Sequence, residues 1–431
     1  MKNFFKFEER GTSYKRETLA GFTTFLSIAY ILIVNPMILG MTGMDPGAVF
    51  TATALTAIVG TLLMGLLGNF PFAMAPSMGL NAFFTFTVVM GMGIDWQVAL
   101  TGVFVASIIF VLLSLFKIRE IIINAIPADL KYAIAAGLGF FITFLGLKTG
   151  GIIEANPDTI GAVGDLSDPK TLLAILAIFL TVIMLVKGIR GSIFYAIIIT
   201  TVVGIIFGQV DMPSSIVSSI PSMAPTFGEV FLHLDEIFTA EMLTVILTFL
   251  IVAFFDTAGA LIGLTSQAGM LKDNKIPNIG KGLLADSLAG VFGAIFGTST
   301  PATSVESSAG ISVGGRTGFT AVVIAACFAV ALFFSPLVSI VLSEITAAAL
   351  IVVGAFMAME VRNISWVKLE VAIPAFLTII MMPLTSSVVV GIGLGFIFYP
   401  VALIAQKRAK EVHPILYVLC ALFIAYFAFI I

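Results

Sequence analysis

Apolar runs of about twenty residues, closed off by short turns carrying charge or Gly, Pro and Asp, recur along nearly the whole of this 431-residue chain. A helix needs about twenty such residues to cross the hydrocarbon core of a bilayer. Within that core the backbone has to satisfy its own hydrogen bonds. Composition agrees with this reading. The chain is 59% hydrophobic and 10% charged, whereas a soluble domain carries about 25% charged residues. The fold class is therefore an all-α polytopic membrane protein, with room for about fourteen transmembrane segments of roughly 20 residues. The pattern predicts spans near 18–39, 48–68, 72–92, 97–116, 129–147, 171–187 and 192–208. A second set follows near 242–263, 281–297, 301–314, 318–341, 344–360, 369–384 and 387–406. The last apolar stretch, 413–431, reads as an interfacial helix or an additional span.

Charge distribution orients this map. Lys2, Lys6, Arg10, Lys15 and Arg16 precede the first span, and Lys117, Arg119, Lys187, Arg190, Lys272, Lys275, Lys281, Arg316, Arg362, Lys368, Lys407, Arg408 and Lys410 follow even-numbered ones. Asp45, Asp95, Glu154, Asp158, Asp165, Asp168, Asp211, Glu229, Asp235 and Glu236 fall on the other side. Basic residues concentrate in cytoplasmic loops, which predicts a cytoplasmic N-terminus in the cell membrane. No cleavable signal pattern precedes the first span, which is expected to act as its own insertion signal. Cys327 and Cys420 lie in apolar runs, and no disulfide, metal or cofactor is expected. No feature points to nucleic acid.

The two halves resemble each other at a nearly fixed offset. Thr24-Phe-Leu-Ser-Ile-Ala-Tyr30 matches Thr248-Phe-Leu-Ile-Val-Ala-Phe254, an offset of 224 (248 − 24). Pro76-Ser-Met-Gly-Leu-Asn81 matches Pro301-Ala-Thr-Ser-Val-Glu306, an offset of 225 (301 − 76). Gly65 and Gly68 meet Gly290 and Gly293 at the same spacing. Seven spans per half is an odd number, so the second half enters the membrane from the opposite side. Such inverted repeats build secondary transporters, with discontinuous helices at the binding site. Spans 3 and 10 are the expected discontinuous pair. Each is predicted to be an extended lead-in ending at proline, followed by a half-helix with the proline in its first turn.

Glu306 lies in the hydroxyl-rich stretch Gly297–Gly310, and Asp256 lies about fourteen residues into span 8. Ionisable residues at membrane depth are functional candidates by default, although a helix-capping carboxylate would look the same in sequence. Desolvation favours the protonated form of such a group, which would let it carry a proton with a substrate. Asn81 is either helix–helix glue or the repeat partner of Glu306 at the site. Ser304, Ser307, Ser308, Thr298 and Thr300 either satisfy backbone or touch a ligand, and Val305 lies among them. Tyr30, Phe25 and Phe255 could stack on a planar ligand or simply pack.

Three segments carry a family resemblance: Gly297–Gly310 (Gly-Thr-Ser-Thr-x-x-Thr-x-x-Glu-Ser-x-x-Gly), Phe254–Gly259 (Phe-Phe-Asp-Thr-x-Gly), and Arg10–Phe25. The chain strongly resembles the AzgA-like purine permeases of the nucleobase–cation symporter-2 (nucleobase–ascorbate transporter) superfamily. The resemblance implies a 7+7 inverted repeat. Its core domain would be 17–116 (spans 1–4) and 241–341 (spans 8–11), and its gate domain 128–208 (spans 5–7) and 344–406 (spans 12–14), with the C-terminal helix 413–431 outside both. It further implies proton-coupled uptake of adenine, guanine or hypoxanthine, with Asp256, Glu306 and Asn81 binding the base. The uracil and xanthine branches place Glu on span 8, often near a His; here the residue is Asp256, with no His beside it.

On that basis Glu306 is expected to accept ring N–H bonds and Asn81 to read a donor–acceptor edge. Backbone around Ser304, Val305 and Ser307 would cap acceptors. Asp256 would carry the coupling proton, with Glu306 second, and Tyr30 would lie at the base. Sodium as the coupling ion and a homodimer are both compatible with the sequence. An anion transporter of the sulfate or bicarbonate type, or a channel, on the same fold is the alternative. No feature of an enzyme is present.

Overall fold

The computed structural model describes residues 2–116, 126–154, 156, 161–213, 215–270 and 278–429, the side chains of 255, 258, 259, 262, 266 and 429 excepted. Expectations at Lys117, Arg119, Asp158, Lys272 and Lys275, and for the Phe255 side chain, lie outside the described residues. The described part is overwhelmingly helical. It contains nine helical stretches long and apolar enough to cross a membrane, Tyr14–Gly40 counted as one, and shorter apolar stretches at Met78–Met92, Ser192–Ile206, Leu369–Thr385 and Pro414–Ala428.

The first predicted span is two helices, α1 (Tyr14–Ile28) and α2 (Ile31–Gly40), where the sequence reads as one. Ala29 and Tyr30 stay right-handed, with ψ of −24° and −23°. Leu32 N–H bonds Ala29 C=O and Ile33 N–H bonds Tyr30 C=O, both three residues back. That is a 3-10 turn, the tightening that marks hinges and functional breaks inside helices. Helix α3 (Pro46–Gly68) follows, its start fixed by Asp45, which accepts from Ala48 N–H, with Pro46 in the first turn.

The third predicted span opens with strand β1 (Met74–Pro76) and continues as α4 (Met78–Ala82), with a π-helix over Phe83–Val89. Helices α5 (Trp96–Leu115), α6 (Ala128–Thr149), α7 (Pro169–Val186) and α8 (Ser192–Ile206) come next. A two-residue hairpin ladder, β2 (Ile153–Glu154) with β3 (Ala162–Val163), lies between α6 and α7. The second half runs α9 (Ala240–Gln267), α10 (Ile279–Phe296), β4 (Pro301–Thr303), α11 (Ser307–Ser312) and α12 (Gly318–Ala331). It ends with α13 (Ser343–Ala358), α14 (Leu369–Thr385), α15 (Val388–Ala405) and α16 (Pro414–Phe429).

Strands β1 and β4, more than two hundred residues apart, pair antiparallel with Pro76 opposite Pro301. The prolines therefore sit in the strands and not in the first turns of helices as expected. Their placement follows from the ladder. Ser304 N–H to Ala73 C=O (3.0 Å) and Ser77 N–H to Thr300 C=O (3.1 Å) mark the hydrogen-bonded positions. Pairs alternate along an antiparallel ladder, so Pro76–Pro301 is a non-bonded pair and its missing N–H groups cost no bond. Met74 is likewise non-bonded. Its outward N–H and C=O are both held by the Thr61 hydroxyl of α3.

Packing falls into two sets of helices. In one, α3 lies against α10 and α12, α5 against α9 and α10, and α1 against α11 and α12. In the other, α6 lies against α13 and α14, α7 against α8 and α13, and α14 against α15. Each set has a glycine-mediated close approach. A Cβ on Gly65 would lie 2.8 Å from the Gly318 carbonyl oxygen, and one on Gly139 would lie 2.5 Å from that of Gly354. Small residues permit such contact between membrane helices. In the first set Glu17 of α1 is fully buried. It accepts from Arg316 N–H (3.0 Å), Thr317 N–H (3.3 Å) and the Thr320 hydroxyl (2.5 Å), which ties α1 to the start of α12.

Candidate functional site

Where β1 and β4 cross, the 3-10 break of the first span, the middle of α9 and one face of α13 enclose a cavity. Its volume open to the centre of a water molecule is about 80 Å³. One water needs roughly 10–15 Å³ on that measure, so the cavity admits a small molecule. Ile28, Tyr30 and Ile31 line it from the helix break, Ala75–Gly79 from the first arm, and Ala302–Glu306 from the second. Asp256 lies on α9, and Val353 and Met357 close it from α13. Among the described residues the wall holds two carboxylates and no Lys, Arg or His.

Hydroxyl groups hold both carboxylates. The Ser77 hydroxyl donates to Asp256 Oδ2 at 2.5 Å. The Tyr30 hydroxyl donates to Glu306 Oε1 at 2.6 Å, and Ser304 donates to Oε2 of the same group. Hydrogen bonds to a charged acceptor are about twice as strong as neutral ones, so these donors fix the carboxylate orientations. An ionised carboxylate accepts at about four lone-pair sites, so acceptor capacity toward a ligand remains on both.

Of the residues singled out in the sequence, the structure brings Tyr30, Asp256, Ser304, Val305 and Glu306 into the cavity wall. It does not bring Asn81 or Ser307 there. Asn81 is fully buried behind the strand crossing. Its Nδ2 donates to Asn35 Oδ1 at 2.5 Å, and its Oδ1 accepts from Ser299. Asn35 in turn donates to Thr53 (2.6 Å) and Thr298 (2.9 Å). The Ser307 hydroxyl accepts from Ala73 N–H at 2.9 Å and so fastens the two arms together. The reason lies in where each half-helix starts. Asn81 is the fourth residue of α4, whereas Glu306 precedes the first residue of α11. Residues equivalent in sequence therefore face different ways. Phe25 packs edge-on against Phe328 (5.2 Å between centroids) and does not line the cavity.

Sequence reasoning missed Ser77, Thr303, Asn35 and Asp286. Asp286 was detectable as an acid inside the apolar run of α10. It is buried and accepts at 2.8 Å from the hydroxyl of Thr257, the residue after Asp256. Asn35 was also detectable, as an amide deep in an apolar run.

A helical bundle with apolar stretches long enough to cross a membrane and a polar cavity between two broken segments is built as a membrane transporter. The sequence comparisons refine this class: residues 15–394 match the model Xan_ur_permease, and the chain belongs to that Permease family. It is 53% identical to the guanine/hypoxanthine permease PbuG of Bacillus subtilis strain 168, across 100% of both chains. It is 42% identical to the adenine permease AdeP of Escherichia coli strain K12, across 100% of this chain and 96% of the relative. In fold it resembles the transmembrane domain of the cyanobacterial bicarbonate transporter BicA, with a TM-score of 0.63 and 18% identity. That likeness covers 88% of this chain and 97% of the other. The protein is thus a multi-pass transporter and not an enzyme, as the sequence led us to expect.

Proposed function

We propose that the protein takes up purine nucleobases (adenine, guanine or hypoxanthine) in symport with protons. The observation that carries this reading is the pair of carboxylates, Asp256 and Glu306, in one small cavity without a basic residue. Such a wall suits a neutral planar molecule with several N–H donors and repels an anion. The purine permease relatives support the substrate class, while the likeness to BicA supports the fold alone.

In this reading the chain has fourteen spans in a 7+7 inverted repeat and a cytoplasmic N-terminus. Pro76 and Pro301 are repeat-equivalent at offset 225 (301 − 76) and are also strand partners, as a twofold axis passing between them would require. The packing of α1–α5 with α9–α12, and of α6–α8 with α13–α15, supports a core and a gate. Glu306, oriented by Tyr30 and Ser304, accepts ring N–H groups of the base. Asp256, oriented by Ser77, takes the coupling proton. Movement of the core against the gate then exposes the loaded cavity to the cytoplasm.

Uptake of radiolabelled adenine, guanine, hypoxanthine and uracil, with and without a protonophore, tests the reading. Purine accumulation abolished by the protonophore is expected. Saturable bicarbonate or sulfate transport without purine uptake would overturn it.

A further inference from the structure

We propose that residues 2–16 form a docking surface for anionic phospholipid headgroups, with the ring of Phe4 entering the bilayer and Lys2, Lys6, Lys15 and Arg16 meeting the phosphates. Such docking goes beyond transport and does not depend on the substrate. Within this segment Lys2, Lys6, Arg10, Lys15 and Arg16 stand against Glu8 and Glu9, a net charge of +3 (5 − 2). Glu9 pairs with Lys6 at 3.1 Å. The next acid, Glu17, is buried and spends its charge on the Arg316 and Thr317 N–H groups and on the hydroxyls of Thr12 and Thr320. The first turn of α12 adds a further cation, Arg316, on the same side. Lys and Arg clustered beside a spanning helix attract anionic lipid headgroups.

The segment is held in place by its own aromatic residues. Phe5 and Phe7 are buried, and both rings pack edge-on against Phe319 of α12 at 5.8 Å between centroids. Phe7 also meets Tyr14 at 4.9 Å. Asn69, just past α3, donates to the Phe5 carbonyl at 3.1 Å and accepts from Gly318 N–H at 2.8 Å. Lys6, in the left-handed region with φ of 58°, turns the chain between the two buried rings. The same turn leaves Phe4 59% exposed, and Lys2, Lys6, Lys15 and Arg16 are exposed as well. Lys2 Nζ lies 5.8 Å over the Tyr14 ring, which brings it to the start of α1 where Lys15 and Arg16 begin the helix. Depth adds to charge. Tyr14, Asn69 and Phe319 stand at the ends of three membrane-length helical stretches, so the segment lies level with the bilayer surface. An exposed ring among cations at that level binds by inserting apolar surface and attracting anionic headgroups.

The test is fluorescence quenching in the full chain. Phe4→Trp is made in a Trp96→Phe, Trp366→Phe background, which removes both native tryptophans. The protein is reconstituted in mixed vesicles of phosphatidylcholine and phosphatidylglycerol, with the acyl chains of one lipid or the other brominated. Brominated phosphatidylglycerol is expected to quench the Phe4→Trp emission about threefold more strongly than brominated phosphatidylcholine at equal content. About 1 M salt, where the screening length falls to about 3 Å, should erase the difference. Combined Lys2→Gln, Lys6→Gln, Lys15→Gln and Arg16→Gln should erase it too, with Tm unchanged because all four side chains are exposed. Combined Lys2→Arg, Lys6→Arg and Lys15→Arg should keep it. Equal quenching by the two lipids before neutralisation overturns the inference, as does a preference that survives neutralisation. Absence of quenching by either lipid overturns it as well, and would mean that a second copy or another protein covers Phe4.

Discussion

The two arms that cross at the cavity come from matching sequence and do different work. In the first, Pro76 leads into a helix whose fourth residue, Asn81, turns away from the cavity into an uncharged knot with Asn35, Thr53, Thr298 and Ser299. In the second, Pro301 leads through Thr303 and Ser304 to Glu306, which faces the cavity before its short helix begins. The matching prolines pair where the arms meet, and the residues after them part ways, Asn81 into the buried knot and Glu306 into the cavity wall. One arm locks the scaffold with amides, and the other presents the charge.

Glu306→Gln attacks the second arm and should have the largest effect. The amide turns one acceptor into a donor and breaks the charge-assisted bonds from Tyr30 and Ser304. Uptake should fall about 100-fold or more, at a loss of roughly 1.5–3 kcal/mol per such bond. Retained uptake would show that the arm's charge is dispensable. Asp256→Asn separates binding from coupling. Purine binding should persist, while accumulation driven by a pH gradient is lost. Asn35→Ala attacks the first arm. It leaves the Asn81 Nδ2 donor unpaired, while Oδ1 keeps its bond from Ser299, and should lower stability by about 1–3 kcal/mol, visible as a lower Tm with KM for purines nearly unchanged. A purine-selective KM shift at constant Tm would move the amide knot into the site.

Ser304→Ala removes one of two donors to Glu306 and should raise KM several-fold, about 1 kcal/mol for one bond. The smallest effect lies outside the crossing. Arg408 pairs with Glu370 and Glu411 at 2.8 and 2.7 Å beyond the end of α15, and its guanidinium holds the Glu411 carboxyl below its ordinary range. Exposed pairs contribute little, so Arg408→Ala should leave uptake within about twofold of wild type.

Much of this was legible in the sequence because membrane constraints are severe. Apolar length located most helices, and two acids in hydrocarbon located the cavity. The sequence offset of 225 (301 − 76) matches Pro76 with Pro301, which the strand register also pairs. Side-chain direction was not legible. Asn81 and Glu306 share a repeat position, but α4 starts at Met78 and α11 only at Ser307, and a few residues of helical phase turn a side chain away. The 3-10 break at Ala29–Tyr30 was hidden as well, because neither residue is a helix breaker. Its signature is tertiary, the Tyr30 hydroxyl reaching Glu306 across 276 residues of sequence. The commitment of Ser77, Ser304 and Tyr30 to carboxylates, and the lack of a partner for Thr303, exist only once the two arms cross.

The most direct test of the central claim is hypoxanthine uptake into proteoliposomes under an imposed inward proton gradient, for wild type, Asp256→Asn and Glu306→Gln. The account predicts accumulation above equilibrium by wild type, equilibration without accumulation by Asp256→Asn, and no transport by Glu306→Gln. Full proton-driven accumulation by Asp256→Asn would contradict it.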